Sequence, residues 1–211
     1  MSRLHPFPTG LPRWSLLGLA AVVAGCNLVP PATEDPTRYY VLSDVPAPVA
    51  AAAGTLRVGI RAVRLDGYLR RREMVVRTGA NEVEFRDYRR WAEPLDGAIA
   101  RVVRSALLAS GAVAEAWIEP FPPDQERDYD VKIEITHCEG VAPAFGRAEA
   151  SLAAVVEVWT AGGSPHRVIR RLFTAPAEAW DGRDFDRLAA LLSTDLGALG
   201  RDIASALPPK S

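Results

Sequence analysis

Apolar and polar residues alternate in several separated stretches of this 211-residue chain, and that period of two limits the fold more than any other feature. Leu56, Val58 and Ile60 alternate with Arg57, Gly59 and Arg61 within Thr55 to Val63. Val131, Ile133 and Ile135 repeat the pattern within Tyr129 to Cys138. Successive side chains of a strand point to opposite faces, so each stretch predicts a strand with one buried face. Glu73 to Thr78 and Glu82 to Tyr88 flank Gly79-Ala80-Asn81 and predict a hairpin, with Val83 and Phe85 on one side of its second arm. Ala148 to Thr160 and Arg167 to Thr174, joined through Gly162-Gly163-Ser164-Pro165, predict another. Arg38 to Ser43 reads as a short first strand and Val113 to Ile118 as a weaker one.

Two stretches change period. From Pro94 to Ala109, residues Leu95, Ile99, Val102, Val103 and Ala106 form one apolar stripe, with Asp96, Arg101 and Arg104 away from it. Pro94 suits a first helical turn and Gly111 a C-terminal stop. From Asp184 to Ala206 a second stripe runs through Phe185, Leu188, Leu192, Leu196, Leu199 and Ile203, with Asp184 as N-cap and Pro208-Pro209 beyond its end. The expected fold is therefore α+β: a single domain with a largely antiparallel β-sheet and two main helices packed on one face. An apolar content of 48% and a charged content of 24% are those of an ordinary globular domain.

The chain ahead of the first strand obeys a different grammar. Arg3 and Arg13 precede a short apolar run from Trp14, which closes on Val23-Ala24-Gly25-Cys26. A basic start, a short apolar centre and a small-residue end read as a secretory signal peptide. The run is too short to cross a hydrocarbon core, which takes about 20 residues. Its end resembles a bacterial lipobox, in which the cysteine is lipidated and becomes the first residue of the mature protein. Residues 1–25 are thus expected as a lipoprotein signal peptide, 26–37 as a lipidated, proline-containing tether, and 38–207 as the folded domain. Asn27 follows the cysteine. The enterobacterial sorting rule places aspartate there in lipoproteins kept at the inner membrane, so Asn27 points to a lipid-anchored, periplasm-facing position at the outer membrane.

Residues with catalytic chemistry are few. Beyond His5, in the signal stretch, only His137 and His166 remain. His137 and Cys138 are neighbours on a strand and point apart, so they form no nucleophile–base pair without a bulge. His137 and Glu139 share a face, but two ligands make no metal site, and a solvated face is expected. Asp181, Asp184 and Asp186 lack the alternating oxygens and distal glutamate of a calcium loop and suit a helix N-terminus. No phosphate loop, dinucleotide fingerprint or zinc-binding cysteine set occurs. The expectation is a non-enzyme without cofactor or metal. A net charge of −1 gives no bulk attraction to nucleic acid. Cys138 is expected as a small buried hydrophobe, with a redox or intermolecular thiol as the alternative. Arg70-Arg71-Arg72 and the run from Arg86 to Arg90 are interleaved with Tyr68, Tyr88 and Trp91. They read as a charged face near a partner interface, with headgroup or lipopolysaccharide contact as the alternative.

Leu56-Arg57-Val58-Gly59, then Tyr68-Leu69-Arg70-Arg71-Arg72-Glu73-Met74-Val75-Val76-Arg77, then Tyr88-Arg89-Arg90-Trp91-Ala92-Glu93-Pro94-Leu95 resemble the ABC-type transport auxiliary lipoproteins. The matching motif residues are Tyr68, Leu69, Arg71, Trp91, Glu93 and Pro94, as partner-binding or structural positions. The chain departs from the family pattern at Arg70 and Arg72, where aspartate and proline are usual. The resemblance implies a non-catalytic outer-membrane lipoprotein working with an MCE-domain periplasmic protein and an ABC or other inner-membrane transporter. The cargo would be lipid or another hydrophobic compound, the benefit envelope integrity, and a homo-oligomeric ring is allowed. A stand-alone periplasmic carrier that binds lipid in its own cavity is the alternative. Trp91 reads first as a large buried surface ahead of a helix and second as a partner contact.

Overall fold

A computed structural model of the chain describes residues 34–44 and 54–209. The described residues from Thr37 onward belong to one compact unit, and residues 34–36 fall outside it. The expected signal peptide and most of the tether lie outside the described residues, as do residues 45–53. In chain order the elements are β1 (Arg38–Tyr40), β2 (Leu56–Ile60), β3 (Arg64–Leu65), a 3-10 turn (Gly67–Arg70), β4 (Glu73–Gly79), β5 (Glu82–Trp91), α1 (Leu95–Ala109), β6 (Val113–Ile118), β7 (Tyr129–Val141), β8 (Glu149–Thr160), β9 (Arg167–Thr174), β10 (Glu178–Ala179) and α2 (Phe185–Ala206).

β7 is the longest strand, and the sheet is assembled on its two edges. One edge is filled by β8, antiparallel from Tyr129↔Thr160 to Val141↔Glu149. The other is shared in succession by β2, β3 and β4, all parallel to it. β6 continues the sheet from β2, and β5 then β1 continue it from β4. β9 and β10 extend it beyond β8. The long ladders, β7–β8, β8–β9 and β4–β5, are antiparallel, so the sheet is largely antiparallel as expected. The parallel pairings were not legible, because each joins strands distant in sequence and local alternation carries no record of which edge a strand will find.

Local patterns explain most element ends. Asp184 caps α2, its Oδ1 accepting from the backbone N–H groups of Asp186 and Arg187 at 3.0 and 3.1 Å. Asp181 accepts from the N–H groups of Asp184 and Arg183, which hold its carboxyl below the usual range. Gly111 follows α1 with φ of 77°, the left-handed geometry that ends helices. Pro94 stands one place earlier than expected, at the N-cap rather than inside the first turn. The first strand is shorter than expected, because the chain turns inward after Tyr40 and Leu42, 1% exposed, enters the core. β5 runs on to Trp91 because β1 pairs beside it, Tyr40 opposite Trp91.

The helices lie on one face of the sheet and on each other. Val131, Ile133 and Ile135 of β7 are buried in the core that they share with Ile99, Val103, Leu188, Leu192 and Leu199. The two helices approach closely at Gly200, where a Cβ would stand 2.5 Å from that of Ala106. Trp180 packs edge-on against Phe185 at 5.3 Å, and its indole N–H donates to the Asp184 carbonyl. It also presses on Gly140, where a Cβ would meet its ring at 2.5 Å.

Two side chains of the core yield measurable consequences. Trp91 is 4% exposed and ends a strand whose neighbour Tyr40 leads into the core. Trp91→Ala should lower unfolding free energy by about 3–5 kcal/mol, read by denaturant titration; an unchanged midpoint would contradict the burial. Asp195, on the buried side of α2, is 2% exposed and its Oδ2 has no hydrogen-bond partner. Burial, with the charge of Glu178 second, pushes its carboxyl up to about 7. Asp195 is therefore protonated in the folded chain but ionised in the unfolded one between about pH 4 and 7, so its contribution to stability falls as pH rises through that window. Asp195→Asn should remove this slope and gain on the wild type by on the order of 4 kcal/mol at most above pH 7, the value of a three-unit shift. Urea unfolding of both proteins at pH 5 and pH 8 measures it; parallel pH profiles would refute it.

Candidate functional site

The motif residues predicted from sequence gather around the 3-10 turn and the start of α1, but they face different ways. Leu69 is buried at 2% exposure and anchors the turn. Trp91 is buried at 4% exposure, its backbone N–H donating to the Arg72 carbonyl at 2.8 Å. Arg71, Glu93 and Pro94 line a common cleft of about 410 Å³ at the surface. There the Arg71 guanidinium lies 4.5 Å over the Phe85 ring, with Nε 3.5 Å from Glu73. Glu93 accepts from Arg101 at 2.8 Å, and Arg101 also donates to the Leu42 carbonyl. Arg101 thereby ties the segment after β1 to the entrance of α1. Cys26 lies outside the described residues.

Tyr68 leads instead to a polar cluster that alternation did not reveal. Its hydroxyl sits 2.8 Å from Glu139 Oε2 and 2.9 Å from the Thr136 carbonyl. Arg77 Nε donates to Glu139 Oε1 at 2.9 Å, and the Cys138 backbone N–H donates to Oε2 at 2.9 Å. His137 Nδ1 approaches Oε1 at 3.0 Å. Glu139 is only 1% exposed, which corrects the expectation of a solvated face. Tyr68 and Arg77 cover it on the face away from the helices. A bulge in β7 between Ile135 and His137 sends it to that face. It shifts the alternation by one, so Cys138 faces the core and Glu139 turns beneath Tyr68 and Arg77. Burial, reinforced by the Glu139 hydrogen bond, pushes the Tyr68 phenol well above its ordinary range. Burial likewise pushes the Cys138 thiol up, so it stays protonated and is no nucleophile.

A second ion-pair group stands at the other end of β7. Arg61 bridges Glu119 at 2.9 Å and Asp130 at 2.7 Å, and Arg127 pairs with Asp130 at 2.9 Å. The Ala62 N–H, then Arg61, hold the Glu119 carboxyl below its usual range. Phe121 lies within 4.0 Å of the Arg127 guanidinium and 5.1 Å of that of Arg61. A wider groove of about 940 Å³ runs between the segment after β1 and the first turns of α2. Among the described residues no three His, Cys, Asp or Glu side chains converge as metal ligands. What these arrangements do is hold strands and loops in register and present charged, open clefts.

The same two-layer fold occurs in the protein XCC0632 of Xanthomonas campestris, of the family DUF330. The TM-score is 0.66 and the identity 17%, over 79% of this chain and 92% of that one. A second solved structure, of an uncharacterised protein, matches with a TM-score of 0.58 and 16% identity, over 80% of this chain and 97% of the other. At such identities the likeness establishes the fold alone. A family model described as ABC-type transport auxiliary lipoprotein component matches residues 40–204, and the chain belongs to that family. Its role is thus that of an auxiliary component of transport, of a lipoprotein kind associated with an envelope membrane. No characterised protein matches the sequence significantly.

The Glu139 cluster makes a direct prediction. Arg77→Ala leaves a buried carboxylate without its cation and should cost about 3–5 kcal/mol, whereas Tyr68→Phe should cost about 1–3 kcal/mol. Urea unfolding of both variants checks this; an Arg77→Ala protein within 1 kcal/mol of wild type would mean that the cluster does not pin the turn.

Proposed function

We propose that the chain is an outer-membrane lipoprotein, lipidated at Cys26 after removal of residues 1–25. Residues 26–37 are its tether and 38–207 its working domain, facing the periplasm. The domain docks, without chemistry of its own, on an MCE-domain periplasmic protein that works with an ABC or other inner-membrane transporter. Lipid is the cargo and envelope integrity the benefit, and a homo-oligomeric ring is compatible with the reading. The observation that carries the reading is the family match across residues 40–204.

Docking is favoured over carriage of lipid within the domain by the state of its core. Ile99, Leu188, Leu192, Ile133 and Ile135, none more than 1% exposed, fill the layer between helices and sheet where an acyl chain would have to lie. In this reading Tyr68, Leu69 and Trp91 serve by shaping the domain from within. Arg71, Glu93 and Pro94 set its surface at the mouth of α1. A stable anchor needs more than one acyl chain, which a lipidated N-terminal cysteine of the bacterial kind supplies.

Two measurements test the proposal. Cys26→Ser should fail to reach outer-membrane fractions on a density gradient, even where an uncleaved apolar segment keeps it in membranes. Delivery of that variant to the outer membrane would sink the anchor assignment. A pull-down from solubilised membranes should recover an MCE-domain protein. Recovery of none, together with acyl chains co-purifying by mass spectrometry, would transfer the role to a stand-alone carrier.

A further inference from the structure

We propose that the arginine-lined cleft at the start of α1 binds a phosphate-bearing anion, held chiefly by Arg64 and Arg72. The cleft encloses about 410 Å³, within the range of small-ligand sites. Arg64 reaches it from β3, and Arg70, Arg71 and Arg72 reach it from the turn and the residues that follow. Two of these cations are already engaged: Arg70 Nε donates to the Leu65 carbonyl at 3.2 Å, and Arg71 lies on Phe85 beside Glu73. The exposed side chains of Arg64 and Arg72 have no hydrogen bond or ion pair among the described residues.

The acids in the cleft do not balance them. Glu93 is bound to Arg101, which leaves Asp96 as the remaining carboxylate of the lining. The helix adds to the positive field. Pro94 provides no side-chain cap, and the first helical bond is Ala98 N–H to the Pro94 carbonyl at 3.1 Å. The N–H groups of Leu95, Asp96 and Gly97 therefore precede any intrahelical bond, at the positive end of a 15-residue helix.

The form of the cleft selects the ligand. Arginines contributed by two segments to one cleft suit the several oxygens of a phosphate, to which guanidinium groups bond in pairs. The floor is aliphatic, made by Val63, Leu65 and Leu95, and suits the glycerol or first methylenes of a phospholipid headgroup. An extended acidic peptide would need a trough rather than a compact cleft. Free phosphate and a phosphodiester headgroup share the chemistry that the site recognises. The assignment is independent of the transport role proposed above, since it stands on charge and shape alone.

The test titrates the full chain, in non-ionic detergent, with inorganic phosphate and with dihexanoyl phosphatidylglycerol, followed by calorimetry at low salt. A double variant, Arg64→Ala with Arg72→Ala, is measured in parallel. These side chains are exposed and unpaired, so its melting temperature should match the wild type. Saturable binding that weakens at least tenfold in the double variant, and again on raising salt, is the expected result. Tighter binding of the lipid assigns the headgroup as the source, and tighter binding of inorganic phosphate assigns the free anion; either supports the site. No saturable binding, or binding unchanged in the double variant, overturns it. Displacement of both phosphates by a hexaglutamate peptide at equal concentration would also overturn it, in favour of an acidic protein segment.

Discussion

One extra residue in β7, between Ile135 and His137, governs which side chains reach the core and which reach the surface of this domain. Side chains alternate along a strand, so inserting a single residue exchanges the faces of everything beyond it. Before the bulge Val131, Ile133 and Ile135 face the helices. After it Cys138 takes that place, and Glu139 points to the opposite side. Without the bulge the helix layer would have to accommodate His137 and Glu139, at the cost of desolvating an unpaired charge.

Three carboxylates are buried among the described residues, Asp130, Glu139 and Asp195, and the last two are treated in opposite ways. Glu139 is surrounded by donors from three elements: Tyr68 on the turn, Arg77 on β4 and the Cys138 backbone on β7. Those donors offset its desolvation and hold the turn against the sheet. Asp195 meets no such donor, and burial, with the charge of Glu178 second, keeps its proton on. The first arrangement builds a surface, because a turn held by Tyr68 on one side and by the buried Leu69 on the other places Arg70, Arg71 and Arg72 beside the start of α1. The polar cluster and the arginine cleft are thus two consequences of one anchored turn.

Much of the architecture was legible in local pattern. The helix over 184–206, its Asp184 cap, the turn-rich connection through Gly162 to Pro165 and the β6 strand all stand where periodicity and turn chemistry put them. Each depends on residues within a few positions of one another. The elements that were missed have the reverse character. β3 and β10 are two residues each, too short for any period to show, and exist because β7 and β8 offer open edges to them. The extension of β5 to Trp91 likewise depends on β1, some fifty residues earlier in the chain.

The candidate site divides along the same line. The motif around Tyr68, Trp91 and Pro94 could be picked out as residues, together with the α+β class and the charged character of the segment that follows Tyr68. The motif was legible through its resemblance to a known family, and the class and the charge through composition and short-range spacing, all of which a chain carries before it folds. That Tyr68 serves Glu139, that Trp91 turns inward, and that Arg64 joins Arg72 across a cleft were decided by tertiary structure. Those contacts depend on the register of strands brought together from distant parts of the chain, and on one bulge that reverses their facing.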